Sequence, residues 1–333
     1  MTSTMKLDAT MCVLARSILM ACLVVAPWFS VQAQNWPVKP VRMIAPYPPG
    51  GGLDVLGRQL AEKLAQQWGQ PVIVENRPGS STLVGTELVA RAPADGYTIL
   101  LTGDGTMTIN PHLFAKLPYD PQKDFTPVTQ LVLVELILTA HSSMPGTLPE
   151  LVALARAKPG TINYGSFGSG SDPHLAFEML KSGAKINLVH VAYKGGPQVV
   201  FAVVAGEVQL ALTNIPTALP HLKAGRIKAL AYTGEQRSPA LPDVPTLDEL
   251  GYPDVDGYAG YSLFAPTGTP REVVARIQRD SARVLSDPDF RDKNVIAKGY
   301  KLVASSPEEF AAYLRKDNES RARAVKVSGA KAE

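Results

Sequence analysis

Apolar residues follow two alternating patterns along most of this chain. Residues 41–47 form a short and mostly apolar run, which is typical of a buried strand. Residues 53–68 instead place an apolar residue every three or four positions, with polar residues between them, and this predicts an amphipathic helix that ends at Gly69 and Pro71. Repetition of strand and helix predicts parallel sheets with helices on their faces, which is an α/β fold.

The same alternation continues to the C terminus. It predicts further strands at residues 72–75, 97–102, 161–165, 188–193, 208–213 and 227–232. It predicts further helices at residues 83–91, 148–157, 174–181, 198–205, 217–224, 271–285 and 307 to about 326. The last of these helices follows Ser306, with Glu309 three residues on, which is the spacing of a capping box.

Two long extended runs interrupt the alternation. Residues 128–140 contain almost no turn-forming residues, and residues 261–266 form a second such run near the C terminus. We expect these runs to carry the chain from one lobe to another and back. The predicted architecture is therefore two α/β lobes, with residues 34–138 and 257–333 in the first lobe and residues 139–256 in the second.

The first 33 residues have the pattern of a secretory signal peptide. Lys6 and Arg16 supply positive charge, residues 17–26 form an apolar core, and residues 31–33 offer small residues for cleavage. The core is shorter than the roughly 20 residues that a membrane anchor needs, and lipid attachment at Cys22 would cut it in half. We therefore expect cleavage after residue 33 and export to a bacterial periplasm.

Composition and charge exclude several classes of site. Both cysteines, Cys12 and Cys22, lie in the predicted signal peptide, so the mature chain would have no disulfide and no cysteine nucleophile. A formal net charge of +3 is too small for the basic patch of a nucleic acid-binding protein. Neither a metal nor another cofactor is expected, because the five histidines are dispersed along the chain: His112, His141, His174, His190 and His221.

The most informative segment is the loop between the first strand and the first helix, residues 47–54. Three consecutive glycines leave backbone N–H groups uncovered where the helix begins, and the helix dipole attracts anions there, which predicts a small carboxylate or phosphate as ligand. Asp54 either benefits only from the helix dipole or selects a donor group on the ligand. The candidate ligand-binding residues of this loop are Tyr47, Pro48, Gly50, Gly51, Gly52 and Asp54.

A second loop of this kind, residues 164–173, lies in the predicted second lobe. Its amides and hydroxyls are good donors to a carboxylate. A simpler interpretation is that Ser171 or Asp172 only caps the next helix, with Pro173 in its first turn. The candidate ligand-binding residues of this loop are Ser166, Gly168, Ser169 and Ser171.

A hydrolytic site is the enzymatic alternative in the second loop. Ser171, Asp172 and His174 are neighbours, and a serine three residues before a histidine can face it at a helix start. A working triad also needs an orienting group and an oxyanion hole. The chain has no G-x-S-x-G elbow, no G-x-G-x-x-G fingerprint and no Walker lysine, so neither a hydrolase nor a nucleotide-binding protein is favoured.

Two further loops follow strand ends in the predicted first lobe. Ligands of open α/β sheets bind beyond the carboxyl ends of the strands. These loops therefore add four candidate contacts, Ser80, Ser81, Asp104 and Thr106.

Several motifs, in order along the chain, resemble the Bug (TctC-like) family of extracytoplasmic solute receptors. They are residues 46–54 (PYPPGGGLD), 75–79 (ENRPG), 95–97, 109–111, 117–120, 218–221 and 241–246. The resemblance covers essentially the whole chain after residue 33. It implies a periplasmic binding protein fold, type II-like, with a ligand cleft between two lobes. It also implies that residues 48–52 and 166–171 hold a ligand carboxylate, partly through ordered water.

The chain departs from the family pattern at positions that would set specificity. Leu53 stands where Thr, Ser or Pro is frequent, residues 80–82 (SST) replace Ala-Gly-Gly, and Gly260 stands where Trp is common. Thr213, beside Asn214, stands where Asp is common. Thr213 and Asn214 are therefore expected to contact the variable part of the ligand.

The predicted function is that of a monomeric receptor, not an enzyme. It would close over a small organic acid, such as a di- or tricarboxylate, an acidic amino acid or an aromatic acid. Because neither loop contains Lys or Arg, backbone dipoles are expected to neutralise the carboxylate. The expected partners are the membrane subunits of a tripartite tricarboxylate-type transporter, and a membrane sensor kinase is the alternative.

Overall fold

The computed structural model describes residues 36–79, 81–193, 196–255 and 257–331. The described residues from Lys39 onward form one compact unit. The predicted signal peptide, residues 1–33, and the predicted contact Ser80 lie outside the described residues. A search of the described helices finds none with the length and apolar character needed to cross a membrane.

Ten strands occur in the described part of the chain. They are β1 (Val41–Ala45), β2 (Val72–Asn76), β3 (Thr98–Gly103), β4 (Phe125–His141), β5 (Asn163–Ser166), β6 (Val189–Ala192), β7 (Leu210–Asn214), β8 (Ile227–Tyr232), β9 (Tyr258–Pro266) and β10 (Tyr300–Leu302).

The helices alternate with these strands. They are α1 (Gly52–Trp68), α2 (Leu83–Ala90), α3 (Gly105–Thr108), α4 (Asn110–Leu113), α5 (Leu148–Ala157), α6 (Asp172–Ala184), α7 (Gly196–Ala205), α8 (Ile215–Lys223), α9 (Arg271–Ser286), α10 (Pro288–Asn294) and α11 (Pro307–Ser328), with a 3₁₀ turn at Ile296–Lys298. All predicted strands and helices are confirmed to within three residues at each end.

The pattern missed four short elements, α3, α4, α10 and β10. The three helices are at most seven residues long and span too few turns to show a helical period, and β10 has only three residues. Local signals do start one of them, because Asp287 Oδ1 accepts a hydrogen bond from the Phe290 N–H at 3.0 Å. The predicted capping box of Ser306 and Glu309 at the start of α11 is confirmed.

The strands form a mixed sheet in the order β2-β1-β3-β9-β4-β7-β5-β6, and β8 and β10 also pair with β4. The groups β2-β1-β3 and β7-β5-β6 are parallel. β9 and β4, between them, are antiparallel to their neighbours in this order. The prediction of parallel sheets therefore holds for the two outer groups, and the antiparallel strands are the two extended runs that were predicted to cross.

β4 belongs to both halves of the sheet. Residues 125–135 of β4 pair with β9, whereas residues 136–140 pair with β7 and residues 137–141 pair with β8. One strand of 17 residues thus connects two groups of strands, as expected of a crossing segment. The lobe boundaries, residues 34–138 with 257–333 and residues 139–256, stay a prediction.

Each half of the sheet has its own apolar core. In the first half, Ile44 packs with Phe264 and Phe310, whose ring centroids are 5.1 Å apart. In the second half, Val203 of α7 packs with Ile137 of β4. Burial of one such side chain contributes about 1.5–3 kcal/mol, so these cores fix the strand ends from which the two glycine-containing loops emerge.

The C-terminal helix α11 contacts both halves. Phe310 near its start lies in the first core, and Ala324 and Val325 near its end pack with Leu175 of α6. This packing carries the second half of α11 to the first turn of α6, directly after the second loop.

Candidate functional site

The carboxylate of Asp54 holds the first loop, residues 47–54, in shape. Its Oδ2 accepts hydrogen bonds from the Gly50 N–H at 2.9 Å and from Arg58 Nε at 3.1 Å, and its Oδ1 accepts one from Asn76 Nδ2 at 2.8 Å. Burial opposes ionisation, but these hydrogen bonds outweigh it and keep the pKa of Asp54 below its usual value. The recorded partners of Asp54 belong to the loop, α1 and β2, so the structure places it as a support of the loop.

Two of the three glycine amides remain available at the start of α1. The Gly50 N–H is bonded to Asp54, whereas Gly51 and Gly52 occupy the N-cap and first positions of the helix, where an N–H group has no intrahelical acceptor. All three glycines and Pro48 are exposed. The first loop therefore presents two amides to an anion rather than three.

Two tyrosine hydroxyls lie beside Gly52, and a third, that of Tyr47, lies at Gly103. A Cβ atom on Gly52 would lie 2.5 Å from Tyr300 Oη and 3.1 Å from Tyr261 Oη, so only glycine leaves room for both hydroxyls. Tyr47 Oη accepts a hydrogen bond from the Gly103 N–H at 3.3 Å. Burial raises the pKa of all three tyrosines, so their hydroxyls stay neutral hydrogen-bonding groups at physiological pH.

The second loop is held by its own hydroxyls. Ser166 Oγ accepts a hydrogen bond from the Gly168 N–H at 3.1 Å and lies 3.0 Å from the Gly168 carbonyl, to which it can donate. Ser171 Oγ donates to the same carbonyl at 2.7 Å. Gly168 has a φ of +126°, a conformation that residues with a Cβ atom rarely adopt. Ser166 is buried beneath the loop and Ser169 is exposed on it.

The predicted side-chain cap and the hydrolytic pair are both absent from this loop. Ser171 occupies the N-cap position of α6, but its hydroxyl donates to Gly168 and does not cap the helix. His174 Nδ1 accepts a hydrogen bond from the Gly170 N–H at 2.9 Å, so this nitrogen is not available to Ser171. Pro173 does lie in the first turn, as predicted.

Asp104, a predicted ligand contact, directs its carboxylate into the protein. Oδ2 accepts a hydrogen bond from Gln130 Nε2 at 2.6 Å and Oδ1 accepts one from Ser262 Oγ at 2.5 Å. Burial raises the pKa of Asp104 to about 7. A Cβ atom on Gly260 would lie 1.7 Å from Asp104 Oδ2, so the carboxylate fills the space that a larger residue at 260 would need. The Asp104 carboxylate thus explains why this chain has glycine at position 260, where Trp is common in the family.

Two other predicted contacts, Thr106 and Ser81, make hydrogen bonds with protein groups near the first loop. Thr106 Oγ1 lies 2.7 Å from Thr102 Oγ1 and 3.1 Å from Thr82 Oγ1. The Ser81 carbonyl accepts a hydrogen bond from Asn110 Nδ2 at 3.0 Å. Ser81 and Thr82 have φ values of 52° and 77°, which are strained for residues with a Cβ atom.

The predicted contacts at the end of β7 differ from each other. Asn214 caps α8, because its Oδ1 accepts a hydrogen bond from the Thr217 N–H at 3.1 Å. Thr213 is 1 % exposed, and its hydroxyl has no hydrogen-bond partner among the described residues. A buried hydroxyl without a partner is costly, and Thr213 stays a predicted ligand contact. Leu53 stands where Thr, Ser or Pro is frequent in the family, and its side chain is buried, so it contributes to packing.

The second loop reaches the half of the molecule that carries the first loop. A Cβ atom on Gly170 would lie 2.3 Å from Leu113 Cδ1 of α4, so the second loop touches the first half of the molecule. Asp172, directly after that loop, is near enough for its charge to add to burial in raising the pKa of Tyr261. Tyr261 in turn lies against Gly52. The bare amides of the first loop and the start of α6 therefore converge around Tyr261.

Sequence reasoning missed Arg321, the cation beside the second loop. Its guanidinium lies 3.3 Å from Asp172 Oδ1 and 3.2 Å from Asp317 Oδ1, and it donates to the Tyr258 carbonyl at 2.8 Å. Its side chain is 3 % exposed. Arg321 thus adds a buried cation to the backbone dipoles expected here, and it is paired with the protein's own carboxylates. The only local signal was the i,i+4 pair of Asp317 and Arg321, which is typical of an ordinary helix surface.

Comparisons with known proteins identify the family. Residues 56–328 match the tripartite tricarboxylate transporter family receptor, TctC. Protein BugT of Bordetella pertussis is 33 % identical over 305 residues, which cover 90 % of this chain and 93 % of BugT. The structure of R. palustris Rpa4515 with adipate has a TM-score of 0.80 and 31 % identity, covering 89 % of this chain and 99 % of that one.

A further solved structure, MatC (Rpa3494) from Rhodopseudomonas palustris with bound malate, has a TM-score of 0.76 and 30 % identity, and covers 87 % of this chain and 100 % of that one. These matches extend over nearly the whole described α/β unit, so the fold is that of the periplasmic binding proteins of this type. The chain therefore belongs to the TctC family of solute-binding receptors.

Proposed function

We propose that this receptor captures a small carboxylate between the first and second loops. The convergence of both loops around Tyr261 is the observation that carries the proposal. The nature of the ligand is supported by two similar proteins, Rpa4515 and MatC, whose structures hold adipate and malate.

In the proposed site, neutral donors hold the carboxylate. The Gly51 and Gly52 N–H groups point out of the start of α1, where the helix dipole favours an anion. Neutral hydroxyls of Tyr261 and Tyr300 lie beside them. Donors that are already in place need little rearrangement when the anion arrives, which favours affinity.

The charges near the site would restrict which acids bind. Arg321 is shared by Asp172 and Asp317, so it is already balanced by the protein's own carboxylates. A ligand carboxylate would therefore be bound by dipoles, as expected from the loops. Thr213 is the group that we assign to the variable end of the ligand, because its buried hydroxyl has a hydrogen bond to offer.

Binding would shift the protein towards a closed state. Contacts that the ligand makes with both loops at once exist only when the two loops are close, so the ligand stabilises that arrangement. We propose that residues 34–138 with 257–333 and residues 139–256 are the two lobes that move. The membrane subunits of a tripartite transporter would then recognise the closed form, in the periplasm, after removal of residues 1–33.

The serine–histidine contact beneath the second loop is not arranged for catalysis, which favours a receptor over an enzyme. Ser166 Oγ lies 2.6 Å from His190 Nε2, but the same hydroxyl is already bonded to the N–H and the carbonyl of Gly168. A nucleophile needs access to the atom that it attacks.

A thermal-shift screen of the mature chain tests the proposal. The panel contains adipate, malate, succinate, citrate, glutamate and benzoate, with glucose and spermidine as controls. An acid at about 100-fold excess over its Kd should add about 2.7 kcal/mol to the free energy of unfolding, and mass spectrometry should recover it unchanged. No shift with any acid, or chemical turnover of the acid, would contradict the proposal.

A further inference from the structure

Two stacked histidine rings lie directly beneath the second loop. The ring centroids of His174, in α6, and His190, in β6, are 4.0 Å apart with an angle of 15° between the ring planes. Tyr164, in β5, continues the stack at 5.0 Å from His190. His174 is 7 % exposed. The stack thus joins three elements at the point where the loop leaves the sheet.

Each histidine has a direct hydrogen bond to the loop. His174 Nδ1 accepts from the Gly170 N–H at 2.9 Å, which requires that Nδ1 carry no proton. His190 Nε2 lies 2.6 Å from Ser166 Oγ, whose other contacts are the N–H and carbonyl of Gly168. If His190 Nε2 donates, the Ser166 hydroxyl can donate to the Gly168 carbonyl, and every polar atom in the chain of bonds is satisfied.

The surroundings keep both imidazoles neutral. Glu178 Oε1 lies 3.9 Å from His174 Nε2, but Lys181 Nζ, at 2.7 Å, and Tyr164 Oη, at 2.5 Å, already occupy that carboxylate. Burial lowers the pKa of His174, and burial together with the neighbouring His174 lowers the pKa of His190 to about 4. These are the titratable groups that face the two rings from α6, β5 and β6.

We infer that His174 and His190 are positioning residues that hold the second loop in its ligand-binding shape, and that they do so only as neutral imidazoles. The inference rests on the proposed role of the second loop in binding. Protonation of His174 at Nδ1 would replace the acceptor of the Gly170 N–H with a second donor. Protonation of both rings would place two positive charges at the stacking distance. Either change would loosen the loop without touching the ligand directly.

Substitutions that copy one ring nitrogen at a time test this inference. Asn places its side-chain oxygen at the same number of bonds from Cα as Nδ1 of His, whereas Gln reaches the position of Nε2. At position 174, where Nδ1 makes the bond, His174→Asn should restore the loop and His174→Gln should not. At position 190, where Nε2 makes the bond, the order should reverse, so that His190→Gln restores the loop and His190→Asn does not.

The first measurement needs no ligand. Amide hydrogen exchange of Gly170 at pH 7.5 should stay slow in the wild-type protein and in His174→Asn, and should become at least about tenfold faster in His174→Gln, because a buried N–H loses its acceptor. Nitrogen NMR shifts should show an unprotonated Nδ1 in His174. A protonated Nδ1, or equal exchange in Asn and Gln variants, would overturn the inference and leave the proposed function untouched.

The second measurement is the affinity for adipate and malate by calorimetry between pH 7.5 and pH 4. Each failing variant should lose at least about tenfold in affinity relative to its restoring partner. Wild-type affinity should hold at pH 6.5 and fall only as the pH approaches the lowered pKa values of the two histidines, about 4 for His190, and the fall should be smaller in His174→Asn, which also corrects for titration of the acid itself. The same fall in both proteins would overturn the inference. If neither acid binds the wild-type protein, the acid with the largest thermal shift replaces them, and if no acid binds, the proposed function fails and hydrogen exchange alone decides the inference.

Discussion

The two loops of the candidate site reach similar shapes through different chemistry. The first loop is held by an ionised carboxylate, since Asp54 accepts hydrogen bonds from Gly50 and Arg58. The second loop is held by neutral groups, Ser166 and His174, which accept backbone N–H groups. The carboxylate keeps its hydrogen bonds until strongly acid pH, whereas an imidazole loses its acceptor when it is protonated. The same backbone arrangement can therefore respond to different conditions.

The loops also differ in how far along the chain their supports lie. Asp54 and Arg58 are four residues apart on one helix. Asp172, at the end of the second loop, pairs instead with Arg321, which is brought to it by the packing of α11. Local support forms with the helix itself, but distant support depends on the whole fold. The second loop should therefore be the more sensitive to changes elsewhere in the protein.

Loss of Arg321 is expected to have the largest effect on stability. Arg321→Ala leaves the buried Asp317 without its cation and removes the partner of Asp172, so the free energy of unfolding in urea should fall by about 3–5 kcal/mol. Arg323→Ala, an exposed residue of the same helix, is the matched control and should change it by less than about 0.5 kcal/mol. Equal losses in both variants would show that the ion pair does not support the second loop.

Loss of the carboxylate in the first loop should have a smaller effect. Asp54→Ala removes the shared acceptor of Gly50 and Asn76, which should lower the free energy of unfolding by about 1–3 kcal/mol. Arg58 is half exposed and can be solvated, which limits the loss. Glu62→Ala, on the exposed face of α1, is the control in the same urea experiment. A loss in Asp54→Ala as large as that in Arg321→Ala would remove the contrast between local and distant support.

Acidification should separate the two loops. A histidine whose pKa is lowered by folding binds its proton more readily in the unfolded chain, so stability is complete above about pH 6.5. The histidine contribution should fall as the pH drops from about 6.5 towards the folded pKa of His190, about 4. The raised pKa of Asp104, about 7, changes stability in the opposite direction over the same window, so the difference between the wild-type protein and His174→Asn isolates the histidines. The loss should be of order 1 kcal/mol, because His190 is only partly buried and its charge is partly screened.

Asp54 should contribute nothing to this window, since its lowered pKa makes its contribution fall only below the usual range of an aspartate, near pH 3.8. Urea unfolding at several pH values measures both effects. The slope between pH 6.5 and 4 should decrease in His174→Asn and remain in Asp54→Asn. A slope that Asp54→Asn removes would contradict the assignment of this window to the histidines.

The smallest effect on stability, with a large effect on binding, is expected at Gly51. Its φ of −72° is ordinary and nothing lies within 4 Å of an added Cβ atom, so Gly51→Val should change the free energy of unfolding by less than about 0.5 kcal/mol. Its side chain would cover the two free amides and lower carboxylate affinity at least about tenfold, as measured by calorimetry. Unchanged affinity would remove the first loop from the site.

Much of the framework was accessible from residue patterns. The amphipathic spacing of α1 and the capping box of α11 are local properties, and both are present in the structure. The glycines of the first loop likewise predicted uncovered amides at a helix start. What the pattern could not reveal was which amides are already used. The Gly50 N–H is bonded within the loop, because Asp54 turns back towards it.

Side chains chosen by type alone were less reliable. Asp104 follows a strand end and looked suited to a ligand, yet it is directed to Gln130 and Ser262. His174, the base of the alternative hydrolytic site at Ser171, instead accepts a backbone N–H. In each case the partner is set by how neighbouring strands and turns pack, and the residue type gives no information on direction.

The sequence by itself determined the α/β framework, the position of both glycine-containing loops and the family. Periodicity, glycine placement and ordered motifs depend only on residues that are close together along the chain. Only the tertiary structure decided which distant side chains hold the loops and which charged groups lie beside them. Arg321 lies far along the chain from Asp172, and Tyr261 lies far from Gly52. Their meeting depends on the antiparallel return through β9 and on the packing of α11 against α6, which are contacts between elements that no local pattern specifies.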